Sequence, residues 1–573
     1  MEKLKYKSNQ RSADVARRLR YIIDYHFLIG IDDISNLNYA YELAVKWNNE
    51  AYNLVFGNND NKLALDMKLK LRKMFSGLRI DEEIELDKIN NFNKAFFTYC
   101  GNILDDNTLI NFNIFGPVSF YRAYLFFKEF RQIFDRYVER SKFYDFLFFY
   151  FKFSKKPIGK VLKSYEKLKK NLSSIEPVGS LLRFEELIYP LELISTSDFD
   201  NENFNLNGFK CIYKTKFYVL LYDELNQLEV KLHLIDSKNF KLQKWFLTGS
   251  LMHIDIFIQL AKRKFNNFRI FKDGIFINGV RIVIDDEKDI YRKCGFNYVP
   301  PELRCGSTEL FMDKDDLKTV NFTDIKSDLH IHTNYSDGSH SIEELCEFYI
   351  AKGFQHIVLT DHSVSLTQGR GLNIEKLMEK NDLIDRLNEK FKNFKIFKGV
   401  EVDILHDGSL DYPDWILKDL DFVVASVHQD YSDNESVMTM RFKKAIMNPY
   451  VHMIGHISGR LVGFFPIYNI NLSSLLKLAS EYKTIIEING NPARLDIDVS
   501  SIKMYKEKFK NLYAVNTDLH NIGQYDVRFF CSVMAARKSY LKKSEIVNSL
   551  STTEFEDLIN TIRTEKILKN GYI

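Results

Sequence analysis

Apolar residues recur at three- and four-residue spacings through residues 1–170, as in SADVARRLRYIIDYHF and YAYELAVKWNNEAYNLVF, and this rhythm predicts amphipathic helices. From about residue 172 the rhythm changes. Short alternating runs (FKCIYKTKFYVLLY, QLEVKLHLID and FRIFKDGIFINGVRIVID) predict small antiparallel sheets, interrupted by a helix that begins near Leu251. The run VPPELRCGSTELF followed by MDKDDLK reads as a connector. Beyond residue 325, seven strand-like runs appear: SDLHIHT, QHIVLTDH, FKIFKGVEVDI, DFVVASVHQ, VHMIGHI, TIIEINGN and LYAVNTDLH. Amphipathic helices such as SIEELCEFYIAKG separate most of them. That alternation predicts a mostly parallel sheet closed or nearly closed into a barrel, whose chemistry sits at the carboxyl ends of the strands. The expected architecture is multidomain, with a helical region over 1–170, a small α+β region over 171–318 and an α/β barrel over 325–573.

Composition adds bounds. A chain of 573 residues exceeds what one core supports, while 45% hydrophobic and 27% charged residues are ordinary for globular proteins. The six cysteines form no CxxC pair, so neither a zinc ribbon nor a disulfide framework is indicated, and a reducing cytoplasm is expected. The amino terminus, MEKLKYKSNQRSADVARRLR, lacks the apolar core of a signal peptide. The aromatic run Phe143–Phe153 is too short to cross a membrane and contains Asp145 and Lys152. No membrane association is expected. The net charge of +3 divides unevenly: the front of the chain is basic, which suits a polyanionic partner, and the barrel region is acidic, which suits metal ions.

Nearly every predicted barrel strand ends in a metal-ligand residue type. His330 and His332 close the first, with Asp337 in the loop that follows; in a strand, residues i and i+2 face the same way. His362, Glu401, His428 and His456 end the next four, and Asp518 and His520 the seventh. Six of the thirteen histidines thus occupy equivalent rim positions. Nine donors are too many for one ion, and imidazole with carboxylate but no thiolate suits two or three divalent ions, with manganese preferred and zinc or iron open. Clustered divalent ions suit phosphoester hydrolysis. Asp361, beside His362, is a candidate support for the ligands or for a water.

The segments DLHIHTNYSDGSHSIEE, HIVLTDHS, KGVEVDIL, DFVVASVHQ, IGHISGRL, IEINGNPARLD and AVNTDLH resemble the motifs of the polymerase-and-histidinol-phosphatase (PHP) domain. The resemblance implies a distorted seven-stranded barrel with a trinuclear site, and all nine ligand positions hold suitable residues. More narrowly, DGSLDYP, NPARLD and HISGRL resemble the PHP domain that ends bacterial family X DNA polymerases. On that resemblance Arg370, Arg460, Arg494, Asn489 and Asn491 are candidate phosphate or DNA contacts.

The front half carries traces of the same family. Pro177–Arg183 is similar to the glycine-serine motif that holds the incoming triphosphate, which makes Gly179, Ser180 and Arg183 candidate substrate contacts. FLTGS followed by His253 resembles the thumb motif, VPPELR resembles the run that closes the polymerase region, and the turn at Gly116 falls where a second helix-hairpin-helix is expected. The departures fall on the chemistry. Nucleotide transfer in this family needs three carboxylates, and their positions hold Pro190, Glu192 and Glu229, with Glu186, Asp198 or Asp200 as substitutes under a shifted alignment. Leu182 stands where an arginine is expected, a glycine is missing at Ile114–Pro117, and Ile254 replaces a polar residue. The expectation is a metal-dependent DNA phosphodiesterase of DNA repair: a monomeric cytoplasmic 3′–5′ exonuclease, with abasic-site or 3′-end processing alongside. Its polymerase region is expected to be silent and to bind DNA. Three alternatives stay open: a phosphatase of the histidinol-phosphatase type, an active polymerase with proofreading, and a noncatalytic DNA-binding protein.

Overall fold

The structure, a computed structural model, describes residues 155–571 except 173, 197–205, 207, 215–216, 272, 432–433 and 464–466. The expected helices of residues 1–154, the turn at Gly116, the aromatic run Phe143–Phe153, Asp198 and Asp200 lie outside the described residues. Residues 156–210 and 216–573 form one compact unit. Among the described residues no helix is long and apolar enough to cross a membrane.

The chain enters through β1 (Lys156–Pro157) and the helix Ile158–Asn171, then β2 (Ile175–Pro177), β3 (Leu187–Ile188), β4 (Leu191–Ser195), β5 (Phe209–Lys214), β6 (Tyr218–Asp223) and β7 (Leu228–Leu234). Five of these make a mixed sheet ordered β2-β4-β7-β6-β5, in which β4 and β7 run parallel. The helices Phe240–Thr248 and Leu251–Lys264 follow, then the small sheet β8 (Arg269–Phe271), β9 (Gly274–Ile277) and β10 (Val280–Arg281). Asn278 and Gly279 link β9 to β10 with both φ angles positive, 51° and 81°. A two-residue hairpin loop of that kind needs this pair of residues, because its mirror-image turn matches the twist of the strands. Trp245, Phe257, Ile290, Tyr291 and Leu303 form the core here. Its polar atoms are matched: the Trp245 indole donates to the Tyr291 hydroxyl at 3.0 Å, and His253 bridges Tyr291 (2.9 Å) and Glu309 (2.7 Å).

The last region holds β11 (Ser327–Ile331), β12 (His356–Leu359), β13 (Lys395–Asp403), β14 (Phe422–Ser426), β15 (Met453–Ile454), β16 (Ile485–Asn489) and β17 (Tyr513–Asn516). They lie side by side in sequence order, every neighbouring pair parallel. An isolated parallel bridge between Ile331 and Leu519 brings the first strand to the last, so the sheet is nearly closed. The helices between strands start at side-chain caps: Ser341 with Glu344 forms a capping box, and Asn373, Asn434, Asn471 and Asp498 each accept an N–H of the first turn. Leu329, Val358, Phe397, Val424, Met453, Ile485 and Ala514 fill the interior together with Phe555, Ile559 and Ile562 of the helix Thr552–Asn570. The seven strands match the seven runs expected from the sequence. Most donors expected at strand ends stand a little past them: His332 one residue beyond β11, His362 three beyond β12, His428 and His456 two beyond β14 and β15, and Asp518 and His520 two and four beyond β17, while Glu401 lies within β13.

Candidate metal centre

The strands deliver the nine donors to one end of the barrel. Glu401, on β13, is the hub: its two oxygens lie 2.9 Å from His362 Nδ1 and His456 Nε2, 3.3 Å from His330 Nε2, 3.4 Å from His428 Nε2 and 3.6 Å from His332 Nε2. Asp518 Oδ1 approaches His332 Nε2 at 3.3 Å. Asp337 reaches His362 Nε2 at 3.5 Å and His520 Nε2 at 3.4 Å. Eight of the nine fall into three overlapping groups able to hold a cation, namely His332, Asp337, His362 and His520; His330, His332 and Asp518; and His362, Glu401 and His428. His456 joins them through Glu401.

These residues fit divalent cations on two grounds. First, buried ring nitrogens of His330, His332, His362 and His456 have no hydrogen-bond partner. An unmatched buried polar atom costs about 1–3 kcal/mol, a penalty that a ligand removes. Second, two donors each about 2.1 Å from one ion lie about 3.0–3.4 Å apart at octahedral or tetrahedral angles, close to the separations found.

Charge is arranged to match. Burial alone raises Glu401, yet His330, His428 and His362 outweigh it and hold the carboxyl well below its ordinary range. Asp518 behaves likewise: burial raises it, and the His332 contact with the charges of His520, His330 and Arg528 lowers it further. Burial and the neighbouring His520 and His362 press His332 down to about 3, so its ring is a neutral lone-pair donor.

Behind the donors stand residues that sequence reasoning missed. Glu487, on β16, accepts His330 Nδ1–H at 2.7 Å and the His456 backbone N–H at 2.8 Å. Asp403 accepts His428 Nδ1–H at 2.8 Å. Such carboxylates fix the tautomer, so that Nε2 faces the ion. The signal for both was present, since each is an acidic residue in a strand otherwise closed to water, and Asp403 follows Glu401 at i+2. Asp361 makes its hydrogen bonds to the loop before Asp337 and to Lys380. It accepts from Thr333 N (2.8 Å), Ser336 Oγ (2.6 Å) and the buried Lys380 ammonium (3.2 Å), and so fixes the loop that carries Asp337.

Comparison with known proteins fits this geometry. Residues 328–491 match the PHP domain family, and residues 244–305 match the DNA polymerase beta thumb. The DNA polymerase/3′-5′ exonuclease PolX of Bacillus subtilis (strain 168) is 33% identical over 413 residues, which span 70% of this chain and 72% of that protein. The chain belongs to the bacterial family X DNA polymerases that carry a PHP domain. A probable phosphatase of Caldanaerobacter subterraneus subsp. tengcongensis is 36% identical over 35% of this chain and 79% of its own length. A solved histidinol phosphate phosphatase from Lactococcus lactis subsp. lactis shares 18% identity over 38% of this chain and 94% of its own, with a TM-score of 0.31, an overall likeness too slight to argue from.

The candidate substrate contacts of this family X chain fare differently from its metal donors. Arg370 is exposed, on a loop whose Gly369 packs against His362 so tightly that an added Cβ would sit 2.8 Å from its ring. Arg494 is half-buried at the rim. Arg460, by contrast, is held: its guanidinium donates to both Glu186 oxygens at 3.0 and 2.6 Å and to the Leu495 carbonyl. Asn489 is buried, donating to Glu487 (3.2 Å) and Asp518 (3.3 Å), and Asn491 caps its own loop by accepting the Ala493 N–H at 3.1 Å.

In the palm-like sheet, Gly179 and Ser180 open a one-turn helix with Gly179 at φ 62°, where a Cβ would meet a Glu192 oxygen at 2.5 Å. Arg183 donates to the Thr248 carbonyl at 2.8 Å and lies 3.3 Å from Ser180 Oγ, so the glycine-serine and FLTGS motifs adjoin. Glu192 contacts His233 Nε2 at 3.2 Å, and Glu229 accepts from the Tyr189 hydroxyl. Among the described residues no cation-competent group includes Glu192 or Glu229.

Proposed function

We propose that this chain is a metal-dependent DNA phosphodiesterase, a 3′–5′ exonuclease of DNA repair that also trims abasic or blocked 3′ ends, working as a cytoplasmic monomer. Glu401 and the eight donors gathered with it are its metal ligands, for two or three divalent ions, manganese foremost. The observation that carries the reading is a converging set of donors with unmatched buried nitrogens, in a chain where, among the described residues, no cation-competent group includes the palm carboxylates Glu192 and Glu229. When bound, the ions activate water at neutral pH and neutralise the attacking and leaving oxygens. The chain's own part is to orient. Glu487 and Asp403 hold His330 and His428 in the tautomer that presents Nε2, and Arg370 and Arg494 steady phosphate oxygens at the rim.

The division into a helical region (1–170), a palm-and-thumb region (171–318) and the PHP barrel (325–573) assigns the front to DNA binding through contacts such as Gly179 and Ser180, without polymerisation. The test is a 5′-labelled primer-template incubated with manganese, with and without nucleotides. Shortening in both conditions is expected. Nucleotide-dependent extension refutes the silent palm, and an unchanged primer refutes the nuclease. Phosphatase-named relatives favour a second reading, hydrolysis of a small phosphate monoester, but the one described above matches only 35% of this chain.

A further inference from the structure

The rim of the centre carries an aromatic pair that metal binding does not require. Tyr431 lies just beyond His428, and Tyr468 follows the segment that carries His456 and Gly459. Their rings stack with centroids 5.6 Å apart and planes 17° from parallel. Tyr468 is the fixed member. Its ring covers Gly459 so closely that a Cβ there would sit 1.7 Å from Cζ, so no side chain is tolerated at that position. Its backbone N–H donates to the Ser458 carbonyl at 2.8 Å, and its hydroxyl donates to the Val427 carbonyl, immediately before His428, at 3.3 Å. Tyr468 thus joins the loops that bear two of the candidate ligands.

Tyr431 rests one face on this anchored ring and stays 52% exposed. Burial raises the pKa of its hydroxyl, with smaller effects from the charges of Arg494, Asp403 and Glu401. A large aromatic left half in water adds little to a core, and the anchored ring behind this one fixes its orientation. A held, partly open π-face beside a phosphate-handling centre suits a nucleobase, because every base has a π-face while a bare phosphate has none.

We propose that Tyr431, backed by Tyr468, is the platform on which the terminal nucleobase of a DNA strand stacks, with Arg494 beside it for a neighbouring phosphate. The proposal rests on the nuclease reading above and names what that site recognises besides the scissile bond. Stacking of a base on an aromatic side chain corresponds to about 10-fold in binding or more.

The experiment uses the full chain in manganese and two 5′-labelled single strands that differ only in the last residue, a deoxynucleotide or a tetrahydrofuran abasic analogue. Wild type is expected to favour the base-bearing end about 10-fold in kcat/KM, mainly through KM. Tyr431→Ala collapses that ratio towards one, whereas Tyr431→Phe, which keeps the ring and loses only the hydroxyl, retains it. A second readout does not need turnover: terminal 2-aminopurine fluorescence changes when wild type or Tyr431→Phe binds, and not when Tyr431→Ala binds. The platform is overturned if Tyr431→Ala keeps the preference, or if it loses activity on both ends by the same factor. If wild type shortens neither strand yet hydrolyses a small phosphate monoester, the nuclease reading fails, and the 2-aminopurine signal then decides the platform separately.

Discussion

Replacing Glu487 by glutamine removes a charge behind the metal centre while keeping the side chain's shape. Both carboxylate oxygens accept two donors: Oε1 takes His330 Nδ1–H (2.7 Å) and Asn516 Nδ2 (3.1 Å), and Oε2 takes the His456 N–H (2.8 Å) and Asn489 Nδ2 (3.2 Å). A glutamine has one oxygen and one NH2, so either orientation points a donor at two donors. Turning the NH2 towards His330 drives that ring to the other tautomer, with the proton on the nitrogen that faces Glu401. Turning it towards His456 strands a buried backbone N–H. Losing one charge-assisted bond and leaving a donor unmatched costs about 1.5–3 kcal/mol. If metal binding carries that cost, affinity falls by about 10- to 100-fold, the usual range for a partner behind a metal-ligating histidine. Competition against a chelator of known affinity measures it, with circular dichroism to confirm that the barrel is folded. A folded Glu487→Gln protein that binds manganese as tightly as wild type would refute the assignment of His330 as a ligand held from behind.

Glu401→Gln is expected to abolish manganese-dependent hydrolysis and to lower the number of ions bound, read by metal analysis of purified protein, because five histidines share that carboxylate. Lys380→Met leaves the buried Asp361 without its ammonium partner, and a loss of about 3 kcal/mol in stability is expected by chemical denaturation, together with weaker metal binding through the loop that carries Asp337. Arg460→Ala and Glu186→Gln are each expected to cost about 1–2 kcal/mol, and the double variant less than their sum, since the two side chains form one bidentate pair; additive losses would show that the pair contributes nothing. In Glu309, burial raises the carboxyl, but hydrogen bonds from His253 and from the backbone of Gly306 and Ser307 prevail and hold it at about 2. Because that value lies below the unfolded one, the stabilisation is full above pH 4.5 and fades as pH falls towards 2, on the order of 3 kcal/mol in all. Melting temperature against pH should therefore fall less steeply over that window in Glu309→Gln than in wild type.

The strand order and the convergence of the nine donors were legible in the sequence because both follow from local rules. Alternation marks a strand, helices between strands force parallel neighbours, and parallel neighbours bring all carboxyl ends to one side. A histidine at the end of SDLHIHT and another at the end of DFVVASVHQ must therefore approach each other whatever lies between them. Pairings that follow no local rule were illegible. Arg460 looks like a phosphate contact in HISGRL, and nothing near it reveals that Glu186, 274 residues earlier, takes its guanidinium. Asp361, beside a ligand in sequence, does support the site, through the loop that carries Asp337, whereas the only sign of Glu487, which supports two donors, was an acidic residue in an apolar strand. Adjacency in sequence finds only part of what stands behind a ligand, because successive positions of an extended chain face opposite ways.

The same bookkeeping separates the two candidate sites within this chain. Folding matches buried polar groups to one another, so a site that still has chemistry to do stands out by groups the protein itself leaves unmatched. In the palm-like sheet Glu192 contacts His233, Glu229 accepts from Tyr189 and Arg183 donates to a backbone carbonyl, and among the described residues no group able to hold a cation includes either carboxylate. At the barrel rim, His330, His332 and His362 keep buried ring nitrogens without partners while carboxylates held ionised by their surroundings face them. Such an arrangement is costly without a cation and favourable with one. It follows that metal should raise the melting temperature of the wild-type protein strongly, and should do so without help from DNA or nucleotide. A palm still able to bind metal would add a second, nucleotide-dependent increment, and since among the described residues no cation-competent group includes Glu192 or Glu229, none is expected.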